Sequence, residues 1–159
     1  MTGIRSYLPR ILLGGVALFA LVQLVPYGRA HANPKPTKSA MLAGPKAQQI
    51  FTDACADCHS YKTKWPWYTN VAPVSWLVTH DVDGGRNALN LSAWDKAQVS
   101  VDDVAEKIKS GSMPPLQYKL SPNHANARLS DKEKAILIAS MRGLYATDPP
   151  AGIKQGEGG

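Results

Sequence analysis

Apolar residues of this chain fall into one continuous run followed by three amphipathic segments. The run covers residues 11–25 and reads I-L-L-G-G-V-A-L-F-A-L-V-Q-L-V. In residues 45–54, 101–110 and 130–145, apolar positions recur three and four residues apart, the spacing of one face of an α-helix. No segment alternates apolar and polar residues over a useful length, so the pattern predicts an all-α fold.

The three amphipathic segments are bounded by signals that start or stop helices. Pro45 suits the first turn of a helix, and Ser100 is a suitable N-cap for the second segment. Gly111 is a natural stop after that segment, and Ser130-x-x-Glu133 has the form of a capping box. The positions predicted to face the core are Ala47, Ile50, Phe51, Ala54, Val101, Val104, Ala105, Ile108, Leu137, Met141, Leu144 and Tyr145.

Residues 60–99 are rich in tryptophan and proline and show weaker periodicity. Short helices are expected to begin near Pro73 and near Ser92. The second of these is expected because Ser92-x-x-Asp95 resembles a capping box. The composition of Asp83-Gly84-Gly85 predicts a turn.

The apolar run at residues 11–25 has two interpretations. With Arg5 and Arg10 before it and Ala30-His31-Ala32 after it, the run has the layout of a cleaved signal peptide. If residues 4–8 are included and the arginines snorkel, the same stretch predicts a retained transmembrane helix. In both cases the arginines place the N-terminus in the cytoplasm and the rest of the chain outside.

These patterns predict four parts in a chain of 159 residues, about the length of one domain. Residues 1–32 are a membrane anchor or signal segment, and residues 33–42 are an extended, proline-containing linker. Residues 43–146 form the helical domain. Residues 147–159 form a tail rich in proline and glycine that is predicted to be disordered.

Charge adds little to this division. The net charge of +6 belongs partly to the N-terminus, where Arg5, Arg10 and Arg29 flank the apolar run. The remainder of the chain carries 15 of the 18 basic residues against 12 acidic ones. That excess is small and no cluster of Lys and Arg follows one face, so no nucleic-acid partner is predicted.

The two cysteines of the chain lie in one pentapeptide, Cys55-Ala56-Asp57-Cys58-His59. C-x-x-C-H is the attachment motif of a c-type haem, with two thioethers to one porphyrin edge and the following imidazole on the iron. A redox C-x-x-C would be expected beside a βαβ pattern, which is missing from the sequence. A structural zinc site usually needs four Cys or His ligands, and there is no second cysteine pair. The motif therefore predicts one covalently bound haem c, with His59 as the proximal ligand.

The second axial ligand has three candidates. Met113 is preferred because it lies on a proline-braced loop between two predicted helices, in Ser112-Met113-Pro114-Pro115. A neutral thioether there would favour reduced iron and raise the potential. His80 and His124 are the alternatives, and each is equally consistent with a histidine on the protein surface.

Further residues are candidates for the surroundings of the cofactor. Trp65 and its aromatic neighbours could wall a flat apolar ring, although ordinary core packing explains them as well. Arg86 and Asn90 could donate hydrogen bonds to the haem propionates, although solvated positions are an equally simple explanation.

The order of helix, C-x-x-C-H, Met-Pro loop and last helix resembles a class I cytochrome c, but the loop after the motif lacks the usual Gly-Pro-x-Leu type of sequence. Over residues 23–145 the chain more specifically resembles the bacterial family called the haem-binding domain. The resemblance implies a single-haem cytochrome c carried on an N-terminal membrane segment, and so favours the retained anchor. The segments that carry it are Cys-Ala-Asp-Cys-His-Ser at 55–60, Trp-Pro-Trp-Tyr at 65–68, Ala-Pro-Val-Ser-Trp at 72–76, His80, Gly85-Arg86, Leu89-Asn90-Leu91-Ser92, Trp94, Met113-Pro114, Tyr118, His124 and Leu129-Ser130.

The sequence thus predicts a membrane-tethered, monohaem c-type cytochrome that is an electron carrier and not an enzyme. It would lie at a bacterial inner membrane with its haem domain in the periplasm, or be soluble in the periplasm if the N-terminus is cleaved. Its partners would be the lipid membrane and a redox protein or a respiratory or photosynthetic complex. The alternatives are a peroxidase-type haem enzyme with an open distal site and a structural or sensor subunit of a membrane complex.

Overall fold

A computed structural model of the chain describes residues 3–154, without the side chains of residues 3–6 and 123. The chain is mostly helical, as predicted. Two short strands in the described part, β1 (Ala97–Val99) and β2 (Gly152–Lys154), pair in parallel with Gln98 opposite Ile153. The helices are α1 (Gly3–Val22), α2 (Pro45–Ala54), α3 (Ala56–His59), α4 (Val74–Ala88), α5 (Val101–Ser110), α6 (Leu116–Leu120) and α7 (Asp131–Thr147), with 3₁₀ helices at Trp67–Asn70 and Pro122–Ala127.

The predicted N-terminal transmembrane helix is wrong. None of the helices in residues 3–154 combines the length and the apolar character that crossing a membrane requires. In α1, Pro9 and Arg10 precede the apolar part, which extends only from Ile11 to the end of the helix at Val22. At 1.5 Å per residue that part is about 18 Å long, against ~30 Å for the hydrocarbon core of a bilayer. The interpretation of residues 1–32 as a signal segment stays a prediction.

The described chain divides into two compact units. The first comprises residues 3–31 and 65–81, and the second comprises residues 32–64 and 82–154. The described residues of the main buried apolar cluster all belong to the second unit, as does the C-x-x-C-H motif. The candidate site therefore lies in the second unit.

In the first unit, the turn after α1 is hydrogen-bonded to the segment that leads into α4. Gln23 and the backbone of Ala72 exchange two hydrogen bonds, of 2.9 and 3.0 Å. Gly28 has a φ of 83° and lies so close to the backbone of Ser75 that a Cβ atom would overlap the Ser75 carbonyl. Only glycine adopts that conformation without strain, so the turn depends on it.

The core of the second unit is built by α2, α5 and α7, which confirms the three helices predicted from periodicity. Their apolar faces pack together because each stripe removes its side chains from water only against another stripe. The most buried members from these helices are Ala47, Ile50, Phe51, Val104, Ile108, Leu137, Met141 and Leu144.

The predicted helix ends are also confirmed. The Ser100 hydroxyl accepts the N–H of Asp103 at 3.1 Å, and Gly111 ends α5 in the left-handed conformation with a φ of 76°. Ser130 and Glu133 form the complete capping box at the start of α7. Such caps satisfy backbone groups that have no partner inside the helix.

The helix predicted near Ser92 is wrong. The chain there makes turns that lead into β1. The Ser92 hydroxyl accepts the N–H of Tyr61 at 3.0 Å, so the residue caps a distant segment rather than a helix of its own. Trp94 is fully buried, and its indole N–H donates to the carbonyl of Asp148 at 2.7 Å.

The segment predicted as a linker, residues 33–42, is extended but packed against the domain. The N–H of Ala40 donates to the carbonyl of Leu91 at 2.8 Å. The side chains of Ala40 and Leu42 belong to the buried cluster. The segment therefore forms part of the second unit.

The tail predicted to be disordered from residue 147 onward is ordered as far as the structure describes it. β2 pairs with β1, and Lys38 forms an ion pair with Asp148 at 2.6 Å. The proline and glycine content suits a turn followed by a short strand as well as it suits disorder. The part of the prediction that concerns residues 155–159 lies outside the described residues.

Candidate functional site

The C-x-x-C-H motif forms a single helical turn directly after α2. The N–H groups of Cys58 and His59 both donate to the carbonyl of Cys55, at 3.1 and 2.9 Å. Neither cysteine forms a disulfide, and both are half-buried. The turn thus joins two thiols and an imidazole through one set of backbone hydrogen bonds.

The chemistry of Cys55 does not suit a redox C-x-x-C. Burial, and secondly the neighbouring Cys58, raise the pKa of the Cys55 thiol to about 12. Reactive cysteines have the opposite property, a lowered pKa that supplies thiolate at neutral pH. At neutral pH the Cys55 thiol is therefore neutral.

The ring of His59 is held by two backbone carbonyls. Its Nδ1 atom lies 3.1 Å from the carbonyl oxygen of Gly85 and 2.9 Å from that of Leu89. Because carbonyl oxygens only accept, Nδ1 carries the proton and Nε2 keeps its lone pair. This is the arrangement of a metal-ligating histidine, whose other ring nitrogen donates to the protein.

The protonation state of His59 agrees with that role. Burial lowers the pKa of the imidazole, although the hydrogen bonds to Leu89 and Gly85 act in the opposite direction. A neutral imidazole is the form that binds a metal ion.

The carbonyls that hold His59 come from the end of α4 and the residue after it. Asp83-Gly84-Gly85, predicted to be a turn, is helical in the structure, so that prediction is wrong. A Cβ atom at Gly85 would lie 2.7 Å from the carbonyl oxygen of Cys58. The glycine therefore permits close contact between α4 and the motif. The signal in the sequence that could have indicated this contact is a glycine inside a helical segment, which often marks close packing.

The motif is further bound to the segment after α4. The N–H of Leu91 donates to the carbonyl of His59 at 3.0 Å. The N–H of Tyr61 donates to the hydroxyl of Ser92, also at 3.0 Å. The backbone of His59 and that of Tyr61, two residues later, are thus bonded to the same segment.

Asn90 and Gln98 stabilise that segment from inside. Both are buried, at 3% and 2% exposed. The Gln98 side chain accepts the N–H of Asn90 at 2.7 Å and donates to the carbonyls of Ala93 and Lys96. The side-chain oxygen of Asn90 accepts the N–H of Ser92 at 2.9 Å. The contact of Asn90 with a propionate stays a prediction, while its bonds in the structure shape the turn.

Arg86 also binds protein groups in the structure. Its guanidinium lies over the ring of Tyr61, 5.3 Å from the centroid, and joins the segment after the motif to the start of the unit. Its role toward a propionate stays a prediction. The oxygen atoms that accept its hydrogen bonds are those of Ser60 O, Ala32 O, Asn33 Oδ1 and Thr63 Oγ1, at 3.0, 2.8, 2.8 and 2.9 Å.

The predicted distal ligand, Met113, lies in the second unit on the loop between α5 and α6. Its N–H donates to the carbonyl of Lys107 at 3.0 Å, which fixes the backbone of the loop. Its side chain is 38% exposed. Ligation by its sulfur stays a prediction.

The remaining candidates lie at three different places. His80 is exposed on α4, in the part of the helix that belongs to the first unit. His124 is half-buried in a 3₁₀ helix of the second unit, where its ring meets Tyr118 edge-on at 5.2 Å. Trp65 belongs to the first unit, stacked on His31 at 4.6 Å with an interplanar angle of 13°. Their roles in binding a cofactor stay predictions.

A model of the haem-binding domain family matches residues 17–142. The chain belongs to the haem-binding domain family. No curated protein and no solved structure matches it. The region of the haem-binding domain that the model matches contains the C-x-x-C-H motif, the end of α4 and Met113.

The side chains of this haem-binding domain fit a haem. Two cysteine thiols outside any disulfide are available for the porphyrin edge, and the imidazole that follows them has its Nδ1 proton bound and its Nε2 lone pair free to bind iron. Cys55, Cys58 and His59 were predicted from the motif, and their role in holding a haem stays a prediction. Gly85 and Leu89 were not predicted, because backbone carbonyls leave no mark in a side-chain motif.

Proposed function

We propose that this haem-binding domain is a monohaem c-type cytochrome that carries single electrons. Cys55 and Cys58 hold the haem covalently, His59 is the proximal ligand and Met113 the distal one. The observation that carries the proposal is the fixed orientation of His59, whose Nδ1 donates to two backbone carbonyls in the turn that presents both thiols.

The residues of the chain have distinct tasks in this function. When bound, haem supplies a one-electron couple between Fe(II) and Fe(III). His59 keeps one orientation because its ring and its own backbone are bonded to residues 85–91. A fixed ligand changes little between oxidation states, which favours fast electron transfer. The thioether of Met113 is a neutral donor and favours the reduced state.

We place the haem domain on the periplasmic side of a bacterial membrane. Two features support this location. The basic residues, apolar run and Ala30-His31-Ala32 form the layout of an export signal. Attachment of c-type haem in bacteria takes place on that same side. The partner is a redox protein or a respiratory or photosynthetic complex. Cell fractionation with haem staining tests the location, and haem-stained protein confined to the cytoplasm contradicts it.

Mass spectrometry and absorption spectroscopy of the purified full chain test the proposal. We expect the mass of the polypeptide plus one haem, and reversible reduction by a single electron. A polypeptide without added mass contradicts the proposal. Rapid binding of carbon monoxide to the reduced protein indicates an open distal site and a peroxidase-type enzyme instead. A haem that cannot be reduced reversibly indicates a structural or sensor subunit.

Electrostatic docking is a further part of the proposal. Lysine side chains next to the motif and at the end of α5 are exposed, and they would attract an acidic partner. The rate of electron transfer to such a partner should then fall as ionic strength rises. A rate independent of salt contradicts this part alone. The lysines are Lys62, Lys64, Lys107 and Lys109.

A further inference from the structure

The end of α4 lies directly on the haem-attachment motif of the second unit. The carbonyl of Gly85 accepts two hydrogen bonds, one from Leu89 N–H at 2.9 Å and one from His59 Nδ1 at 3.1 Å. The carbonyl of Leu89 accepts from the same Nδ1 at 2.9 Å. The imidazole ring therefore caps the C-terminus of the helix.

This contact exists because residue 85 has no side chain. A Cβ atom there would lie 2.7 Å from the carbonyl oxygen of Cys58, and 2.9 Å from its Cβ atom. Both distances are shorter than real Cβ contacts. The atoms in the way belong to the backbone and to the thiol-bearing residue, so they cannot rotate aside. A side chain at position 85 would push α4 away from the motif.

The adjacent glycine has none of these contacts. Gly84 is exposed in the same helix, and a Cβ atom there would meet nothing within 4 Å. Glycine is unfavourable inside a helix relative to alanine. The close contact with the motif therefore requires a glycine at residue 85 but not at residue 84.

The helix end also affects His59 electrostatically. The carbonyls of the last turn lie at the C-terminal end of the helix, where the helix dipole places partial negative charge. A histidine that donates to such groups becomes a stronger electron donor through its other ring nitrogen. A strongly donating proximal ligand favours the oxidised state of the iron, and so lowers the reduction potential.

We propose that Gly85 is a positioning residue for the iron ligand His59. The missing side chain lets the end of α4 contact Cys58, and its carbonyl, with that of Leu89, fixes the imidazole ring. The inference rests on the proposed role of His59 as the proximal ligand. It adds that the reduction potential of the haem is set in part by how closely α4 approaches the motif.

The test compares Gly85→Ala with Gly84→Ala in the full chain carrying its haem. The same methyl group is added to two successive residues of one helix. We expect Gly85→Ala to raise the reduction potential, to lower the fraction of chains that carry haem and to lower the melting temperature. Gly84→Ala should leave the potential unchanged and preserve or raise the melting temperature, since alanine is the better helix former.

The exchange of the His59 Nδ1 proton, followed by NMR in the reduced protein, gives a second measurement that needs no variant. In the wild-type chain we expect exchange at least tenfold slower than for the exposed ring of His80. In Gly85→Ala the exchange should accelerate. If Gly85→Ala fails to accumulate, the exchange rate of the His59 Nδ1 proton in the wild-type chain becomes the test. Rapid exchange of that proton in the wild type overturns the inference.

The outcomes separate this inference from the proposed function. A wild-type chain without covalent haem contradicts the proposed function itself. A wild-type chain that carries a reducible haem, with Gly85→Ala and Gly84→Ala equal in potential and melting temperature, leaves the function in place and overturns the inference about Gly85.

Discussion

Two regions of the second unit differ in how their side chains are held. The proximal segment, residues 55–63 together with 85–92, is closely hydrogen-bonded. Ser60 and Thr63 there are 4% and 6% exposed. In the distal segment, residues 111–128, Met113 and Leu120 are 38% and 73% exposed.

The distal segment also has fewer interior contacts. Its helix α6 contains no buried residue. Two long side chains bridge its turns, with Lys119 donating to the carbonyl of Gly111 at 2.5 Å and Arg128 to that of Lys119 at 3.0 Å. The protein thus fixes His59, the proposed proximal ligand, through buried backbone groups and leaves Met113, the proposed distal ligand, on a surface loop. Substitutions in the two segments should therefore have unequal consequences.

The largest effect is expected from His59→Ala. It removes the ring that donates to Gly85 and Leu89 and would ligate iron. We expect loss of the low-spin absorption spectrum and loss of most covalently bound haem. The exposed His80 provides the matched control, because His80→Ala should keep the spectrum. If the spectrum survives His59→Ala and is lost in His80→Ala, His80 rather than His59 is the ligand that sets the spectrum, and the role assigned to His59 is contradicted.

Met113→Ala should have a smaller effect, confined to ligation. We expect the haem to remain attached and the weak long-wavelength band of sulfur-ligated ferric haem to disappear. Absorption spectra of the oxidised protein measure this. Met41→Ala is the control, since Met41 is 72% exposed and should leave the band intact. A band that persists in Met113→Ala shows that another sulfur is the distal ligand. A wild-type spectrum without the band indicates His80 or His124 as the distal ligand instead.

Gln98→Leu tests the support beneath the proximal segment. The change removes the acceptor for Asn90 N–H and the donor for the carbonyls of Ala93 and Lys96 in a buried site. Each unsatisfied buried group costs about 1–3 kcal/mol, so the free energy of unfolding should fall by at least that amount. Urea unfolding measures the loss. Gln49→Leu, at an exposed position, should change it by about 0.5 kcal/mol or less.

The smallest effect is expected at Tyr145, which lies outside both segments. Its hydroxyl donates to the carbonyl of Val99 at 2.7 Å, a bond worth about 1 kcal/mol. Burial, and secondly Asp103, raise its pKa to about 12. The folded chain therefore keeps the hydroxyl proton of Tyr145 to higher pH than the unfolded chain, whose tyrosines have a pKa of about 10.

The sign of the pH dependence follows from that difference. Stabilisation by the Tyr145 proton is complete below pH ~10 and is lost as pH rises toward about 12. Urea midpoints of the wild type and of Tyr145→Phe, measured from pH 9 to pH 12, should converge as pH rises. If the two midpoints stay equally far apart at every pH, the raised pKa of Tyr145 is contradicted.

Local signals in the sequence determined much of the fold and the chemistry of the site. The helices at residues 45–54 and 101–110, and the start of α7, were predicted because periodicity and caps act between residues three or four apart. The thiols and the imidazole of the motif were predicted for the same reason. Their spacing alone brings them into one turn.

The tertiary structure decided what lies against those elements. Whether Gly85 belongs to a turn or a helix, and whether Ser92 begins a helix or caps Tyr61, depends on residues more than 20 positions away. The same holds for β2, whose partner strand precedes it by about 50 residues. Such contacts form only when distant segments meet in the core, and each segment by itself fits more than one structure. The orientation of His59 is of this kind, because the carbonyls that fix it become neighbours only in the folded chain.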